Sequence, residues 1–427
     1  MQFSNKGRNC IAQLLELMCK DDSTWFRAVR AFRKALTAVQ FANAMLVMGE
    51  NRQKAPVLHA KDLKAFCADR ISVLRAAARK CPDLPSIGVP EWQGELSPPS
   101  FRSYIDSRPA GPLRSTPDDC GPARQAQRWL LDRVPHTGIL CLGRAGNRVR
   151  TWRRETKAPA TAPPPLELAA AIVHPTVAPT AVASRADHYW LTDTQRYMSV
   201  REQCRLMGLD VHPPLATALE EVRCPTVAGS LIGKGIHAGA AACVLRAIDD
   251  LGLMPPAVNY ASVCSGVDCF AAAVAALRPT AFHYRYAAER DAAARKVLAR
   301  AWGIPPSCMH KEAAVLDTAN HPSVDLAVIS PDCVRFSRRR HNASVESHAE
   351  SMSEGAAEVY AVLGIVRRRA AAVVVLENVA ERDAIAIITS CLHRAGGYKW
   401  RMQIVSPHRH AGKPCERERA FWVGVRI

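Results

Sequence analysis

The spacing of apolar positions changes along the chain, and each change marks a different kind of element. Over residues 9–80, apolar side chains recur every three or four positions, as in TWFRAVRAFRKALTAVQFANAMLV and KDLKAFCADRISVLRAAARK. That spacing puts them on one face of a helix, so a mainly helical region is expected. Residues 81–125 are richer in Pro, Ser, Gly and Asp and read as irregular. QAQRWLLDRV predicts a short helix, and HTGILCLGRAGNRVRTWRRE a hairpin. Residues 157–184 are rich in Pro and Ala and nearly uncharged. Such a composition predicts an extended, semi-stiff linker.

Beyond the linker, short apolar runs alternate with amphipathic ones. MSVREQCRLMGL opens a helix at Ser199. GSLIGKGIHAGAAACVLRAIDDL reads as a Gly-containing turn followed by an Ala-rich helix. VNYASVCSG, FHYRYAAERD, VDLAVISPDC and AAVVVLENV read as strands. VDCFAAAVAAL, AAARKVLARAWG, EGAAEVYAVLGIVRRR and AIAIITSCLHRAGG read as the helices that follow them. YKWRMQIVSPHRH and ERERAFWVGVRI predict a closing antiparallel pair. Buried β-branched strands alternating with helices predict an α/β fold, doubly wound around a mostly parallel sheet. The expected organisation is a basic, mainly helical region over 1–156, a linker over 157–186 and an α/β domain over 187–427.

Composition narrows the function classes. Hydrophobic residues make up 48% of the 427 and charged residues 22%, as in ordinary globular proteins. No uninterrupted apolar run of about 18 residues occurs, so no membrane partner is expected. The N-terminal segment lacks a long apolar core and a small-residue cleavage site, which predicts an intracellular protein, nuclear if the host is eukaryotic. The 15 cysteines form no C-x-x-C pair, so no metal is expected and the thiols read as reduced. The net charge is +18, and residues 1–157 carry +13 of it, with 27 Lys and Arg against 14 Asp and Glu. A field of that sign attracts a polyanion such as nucleic acid. A solubilising surface, or an Arg bias of the genome, gives the same count.

In a doubly wound sheet, ligands bind where the strands end. Ser265 and Gly266 follow the first strand, Glu289 and Arg290 end the second, and Asp317 ends the next short segment. A strand-end carboxylate can accept from both hydroxyls of a ribose; turn chemistry and helix capping would use the same residues. Cys333 lies just past the strand VDLAVIS, after Pro331, and a basic segment SRRRHNASVESH follows it. A thiol beside cationic residues can act as a nucleophile; one more buried cysteine is the plainer reading. Glu377 and Asn378 end the next strand, and parallel strand order would bring Glu377 to the cleft that holds Cys333.

These pieces resemble the cytosine-5 DNA methyltransferase family. SVCSGVDCF is similar to its motif I, AAERDAAARKVLARAWG to motif II and LDTAN to motif III. SPDCVRFS is similar to motif IV, LENV to motif VI and GKPCERERAFWVG to motif VIII. Upstream, Arg196–Leu209 resembles motif IX and Leu231–Ile236 motif X. The order IX, X, I, II, III, IV, VI, VIII is a circular permutation, cut where the family carries its target-recognition region. The resemblance covers roughly 187–427 and leaves residues 1–156 as the candidate for target recognition.

The resemblance implies a Rossmann-like catalytic domain that uses S-adenosylmethionine and acts on double-stranded DNA. RNA is the alternative polynucleotide, and a catalytically impaired DNA-binding homologue is the alternative from another class. Cys333 would attack C6 of a flipped cytosine, Glu377 would hold the N3 edge, and Arg417 and Arg419 would orient the base. Cys264, Ser265, Gly266, Glu289, Arg290, Asp317, Pro331 and Asn378 would form the cofactor site. Arg335, Ser337, Arg338, Arg339 and Arg340 would face DNA. Arg196 and Arg201 would do so too, while bracing the catalytic loops with Glu202 and Arg205. Several positions depart from the family pattern. Ser262 stands for the motif I acid, Cys264 for its aromatic, and Asp268-Cys269 for its Gly pair. Asp332 and Val334 flank Cys333, Cys415 replaces the motif VIII Gln, and Lys234 the motif X Asn.

Overall fold

The computed structural model describes residues 84–94, 100–106, 139–141, 151–159, 165, 173–174, 178, 189–194, 196–317, 321–336 and 345–427. The helices expected over 9–80 and in QAQRWLLDRV lie outside the described residues. The contacts divide the chain into two compact units. One comprises Met1–Ser86, Glu312–Met402 and Arg419–Ile427; the other comprises Ile87–Lys311 and Gln403–Glu418.

The second of these opens with a small antiparallel sheet of very short strands: β1 (Ile139–Cys141), β2 (Val173–His174), β3 (Tyr189–Leu191) and β4 (Arg196–Tyr197), in the order β2-β1-β3-β4. The expected hairpin over HTGILCLGRAGNRVRTWRRE is replaced by this arrangement. β1 pairs with the distant β2 and β3, and residues 151–156 are helical. The helix-forming run WRRE explains the difference, since it favours a helix over a return strand. Among the described residues of the Pro/Ala-rich segment, two places carry backbone pairing. One is β2, and the other is Ala178, which donates to Pro414 O at 2.9 Å and accepts from Glu416 N at 3.1 Å.

Helices α1 (Val200–Leu206), α2 (Pro213–Glu220), α3 (Pro225–Lys234) and α4 (Ala238–Asp250) follow. Ser199 and Glu202 form a reciprocal capping box that starts α1. Val227–Asp250 is long and apolar enough in composition to cross a membrane, but it is two helices broken at Gly235–His237. Val244, Leu245 and Ile248 of α4 are fully buried, and α4 packs on α5 (Cys269–Leu277). The parallel strands β5 (Val258–Val263), β6 (Phe282–Ala288) and β7 (Met309–His310) alternate with α5 and α6 (Ala292–Trp302). In α6, Ala294, Val297, Leu298 and Ala301 form the buried stripe, and Gly303, with φ 62°, ends the helix in the left-handed region.

The first unit holds β8 (Leu326–Ile329), α7 (Val345–Arg368), β9 (Val373–Val379), α8 (Arg382–Ala395), β10 (Tyr398–Val405, ending across the boundary) and β11 (Arg419–Arg426). β9 is parallel to β8 and antiparallel to β11. Every residue of β9 is buried, as its continuous apolar run predicts for a central strand. Gly424 of β11 leaves room for the Trp400 ring, which a Cβ there would approach to 2.7 Å. Seven strands form a mostly parallel sheet in the order β10-β11-β9-β8-β5-β6-β7. The fold is the expected α/β type with an antiparallel C-terminal strand pair. The outer edge of its terminal strand β10 is met at one backbone position and by one side chain. Met402 N donates to Pro85 O at 2.8 Å, and Arg401 donates to Ser86 O at 3.1 Å.

Candidate cofactor turn and nucleophile loop

The turn after β5 winds through three left-handed residues: Cys264 (φ 58°), Gly266 (φ 56°) and Asp268 (φ 51°). Only glycine takes that conformation without penalty, and each of the other two costs roughly 1 kcal/mol or more. Hydrogen bonds hold the turn. Cys264 N donates to Ala288 O at 2.8 Å and Asp268 N to Ser265 O at 2.8 Å. The Asp268 side chain turns inward and caps α5. Its Oδ1 accepts from Tyr260 Oη at 2.7 Å and Ala271 N at 3.0 Å, and its Oδ2 from Tyr284 Oη at 2.5 Å. The Ser262 hydroxyl bonds Tyr284 Oη at 2.6 Å and, on its other side, Ser265 Oγ. Burial pushes the Asp268 carboxyl up, while the tyrosine donors and the helix amide pull it back. Burial and the adjacent Asp268 push both tyrosines well above the ordinary phenol range.

Glu289, at the end of β6, is half-buried. Its carboxylate accepts from Gly266 N and Asp291 N, both at 2.7 Å. It therefore ties the two strand-end turns together, and each oxygen keeps a lone pair for another donor. Arg290 is exposed beside it. Asp291 caps α6 and pairs with Lys234 of the Leu231–Ile236 segment at 2.8 Å. That segment packs tightly on α5, since a Cβ at Gly235 would lie 2.7 Å from Cys269 Sγ. The residues fit S-adenosylmethionine in three respects. The side of Gly266 where a Cβ would stand opens on free space, Glu289 retains acceptor capacity, and Asp268 leaves the turn unfilled.

In the other unit, the loop after β8 carries Pro331, Asp332 and Cys333. Pro331 is buried, Cys333 half-buried and Asp332 exposed. Cys333 opens a 3-10 turn, Cys333–Arg335, closed by Phe336 N to Cys333 O at 3.1 Å. The loop is fixed from two sides. Buried Asn378 donates to Pro331 O at 3.1 Å, which ties the end of β8 to the end of β9. Phe336 is 1% exposed and packs on Gly355 of α7, where a Cβ would lie 2.7 Å from the ring. Arg335, expected to face DNA, is half-buried and pairs with Glu358 of α7 at 3.3 Å. Ser337 and Arg338–Arg340 lie outside the described residues. Asp317 ends a 3-10 turn, Ala313–Asp317.

Glu377 and Arg419 form a buried ion pair in this unit, with Nε to Oε1 at 2.9 Å. The register explains the contact. Arg419 stands opposite Val379, two residues along β9 from Glu377 and on the same face. Arg417, two residues earlier, behaves differently. It is 2% exposed and donates to Gly233 O at 2.8 Å and Gly235 O at 2.5 Å. Those bonds satisfy carbonyls at the C-terminus of α3, so Arg417 here holds the turn between α3 and α4. His237 beside that turn accepts from Gly239 N at 3.0 Å. Burial, then the Arg417 and Lys413 charges, push its imidazole down to about 3.

Arg196 is likewise internal. It clasps Glu202 with two bonds of 2.7 and 2.8 Å and donates to Asp106 O at 3.2 Å. Arg205 pairs with Asp106. Arg201 is exposed, with Glu220 at 3.7 Å. The sequence reading did not anticipate the Asp268–tyrosine network. Its signal was present as Tyr260 and Tyr284, the third residues of successive strands and directly paired in register.

No family model matches the chain, and no curated protein matches it. Solved structures with similar folds include TrmN from Thermus thermophilus, at 14% identity and TM-score 0.30 over 44% of this chain and 52% of that one. The Dnmt2 methyltransferase of S. pombe aligns at 17% identity and TM-score 0.28, over 40% and 49%. The methyltransferase EhMeth of Entamoeba histolytica aligns at 14% identity and TM-score 0.30, over 40% and 53%. The chain thus spans about half the length of each of these neighbours, two of which are methyltransferases by name.

Proposed function

We propose that this chain is a DNA cytosine-5 methyltransferase, dependent on S-adenosylmethionine, with its motifs in circularly permuted order. The observation that carries the reading is the nucleophile loop. Asn378 ties it to the strand whose next residue back, Glu377, is paired with Arg419. A half-buried thiol and a carboxylate oriented by a guanidinium are the two groups that addition to a pyrimidine needs. The permutation is supported by the motif X segment. It runs through α4 directly into β5 and packs at Gly235 against the first residue of α5.

In this reading Cys333 sulfur bonds to C6 of a flipped cytosine, and the C5–C6 electron pair moves toward C5. Glu377 holds the N3 edge, and Arg419 keeps its carboxylate in place. S-adenosylmethionine, when bound, supplies an electrophilic methyl group to C5 and leaves as S-adenosylhomocysteine. Loss of the C5 proton to a base then expels the Cys333 thiolate and restores the double bond. Arg417 acts through the motif X turn rather than on the base.

Duplex DNA containing 5-fluorocytosine tests this, because fluorine cannot leave as a proton. With labelled S-adenosylmethionine, a covalent adduct should survive a denaturing gel and vanish in Cys333→Ser. No adduct on DNA but turnover on RNA would reassign the substrate. Cofactor binding with no adduct on either polymer would overturn the catalytic reading.

A further inference from the structure

We propose that Lys234 is a positioning residue for the Glu289 carboxylate and is itself held by Arg417, so that the turn between α3 and α4 sets how strongly the chain prefers a ligand with ribose hydroxyls. The inference rests on the cofactor reading above and adds two residues that act on the ligand through others. It begins at Arg417. Its Nη2 donates to Gly233 O at 2.8 Å and to Gly235 O at 2.5 Å, the carbonyls on either side of Lys234. A guanidinium is planar and rigid, so these bonds fix the backbone around that lysine. Lys234 then reaches out of the turn, and its Nζ donates to Asp291 Oδ2 at 2.8 Å. The other oxygen of Asp291 accepts from Ala293 N at 2.9 Å and Ala294 N at 3.3 Å. Both oxygens are therefore engaged, one by its own helix α6 and one by the end of α3. Burial would push the Asp291 carboxyl up, but the Lys234 ammonium and the two helix amides hold it below the usual carboxylate range.

Holding the Asp291 side chain also holds its backbone amide, which donates to Glu289 Oε1 at 2.7 Å. Glu289 Oε2 accepts from Gly266 N at 2.7 Å. Arg295 steadies the same turn, its Nη1 donating to Glu289 O at 2.8 Å and Arg290 O at 2.7 Å. Arg295 and the capping amides belong to α6, whereas Lys234 comes from α3. It is the contact through which a second element sets the turn. A carboxylate offers about four lone-pair sites, so two amides orient Glu289 and leave acceptors for a pair of hydroxyls. If Asp291 shifts, its amide turns and the Glu289 carboxylate turns with it. The loss then falls on the hydroxyls and spares the rest of the ligand.

The test is titration calorimetry of the full chain with S-adenosylhomocysteine and with its 2′,3′-dideoxy analogue, which lacks both ribose hydroxyls. The unsubstituted chain should prefer the first. Lys234→Met, at an exposed position, should cut that preference about threefold, the scale of a partly exposed ion pair. Arg417→Lys, which loses the rigid fork, should cut it at least as far. The double variant should lose no more than the larger single loss, because both residues act along one path. Equal weakening of the two ligands would mean a structural role and overturn the proposal. So would an unchanged preference in Lys234→Met. Unchanged ligand binding in Arg417→Lys with a raised KM for DNA would return Arg417 to the substrate and overturn its part. If the unsubstituted chain binds the two ligands equally, Glu289 does not read the hydroxyls and the proposal falls while the cofactor reading stands. If it binds neither, the cofactor reading itself fails.

Discussion

Glu377 and Arg419 are mutually dependent, because each is nearly excluded from water and the other is its compensating charge. Replacing one partner of such a pair by a neutral truncation commonly costs about 3–5 kcal/mol. Arg419→Ala should therefore lower the midpoint in urea as well as abolish turnover. Glu377→Gln keeps shape and hydrogen-bonding capacity. It should remain folded by circular dichroism yet lose roughly 10²–10⁴-fold in turnover. The Arg196–Glu202 pair titrates in a predictable direction. Burial alone would push the Glu202 carboxyl up, but the Arg196 guanidinium and the Ser199 and Asp106 amides outweigh it and hold it below the usual carboxylate range. A carboxyl lowered in the folded state stabilises above its unfolded value of 4.5, and that contribution fades as pH falls through the folded value. Urea midpoints measured from pH 6 downward should drop below about pH 4.5 in the unsubstituted chain. They should drop less in Glu202→Gln.

At the scale of elements, α7 governs where the nucleophile loop sits, through the contact of Phe336 with Gly355. Ala in place of a mid-helix glycine ordinarily stabilises by about 1 kcal/mol. Here the new methyl would meet a buried ring, and overpacking costs about 1–3 kcal/mol. Gly355→Ala should thus come out neutral to destabilising and slow the formation of the 5-fluorocytosine adduct. Adding Phe336→Leu should recover part of the rate by vacating the space. Elements whose cause is local were legible in the sequence. The capping box at Ser199, the stripe of α6 and the buried run of β9 each declare themselves within one window. β1–β4 did not, because two- and three-residue strands carry no period and the partners of β1 lie far from it in sequence. The same distinction separates Arg419 from Arg417. The motif names both, but only the β9–β11 register and the end of α3 decide that one meets a carboxylate and the other caps a helix. Asp268 was visible as a departure from glycine. Its tyrosine partners required the strand register to be known.

For the molecule as a whole, the charge distribution makes a quantitative statement. A chain of net charge +18 that engages several phosphates should lose affinity for duplex DNA steeply with salt. For about six contacts, the fall is about a thousandfold between ~50 and ~200 mM. A nearly flat dependence in fluorescence anisotropy would reassign the excess charge to solubility.

The segment at Pro85–Ser86 has a consequence for how the protein may be handled. An uncovered outermost strand is a template on which a second chain can continue the sheet. Here the backbone of Pro85 takes up the outward amide of Met402, and a proline has no amide hydrogen with which to extend a ladder further. Cutting the chain after residue 90 would remove this guard while leaving β10 intact. Such a fragment should elute as oligomers and gain thioflavin fluorescence on standing, whereas a cut before residue 84 should leave the edge closed.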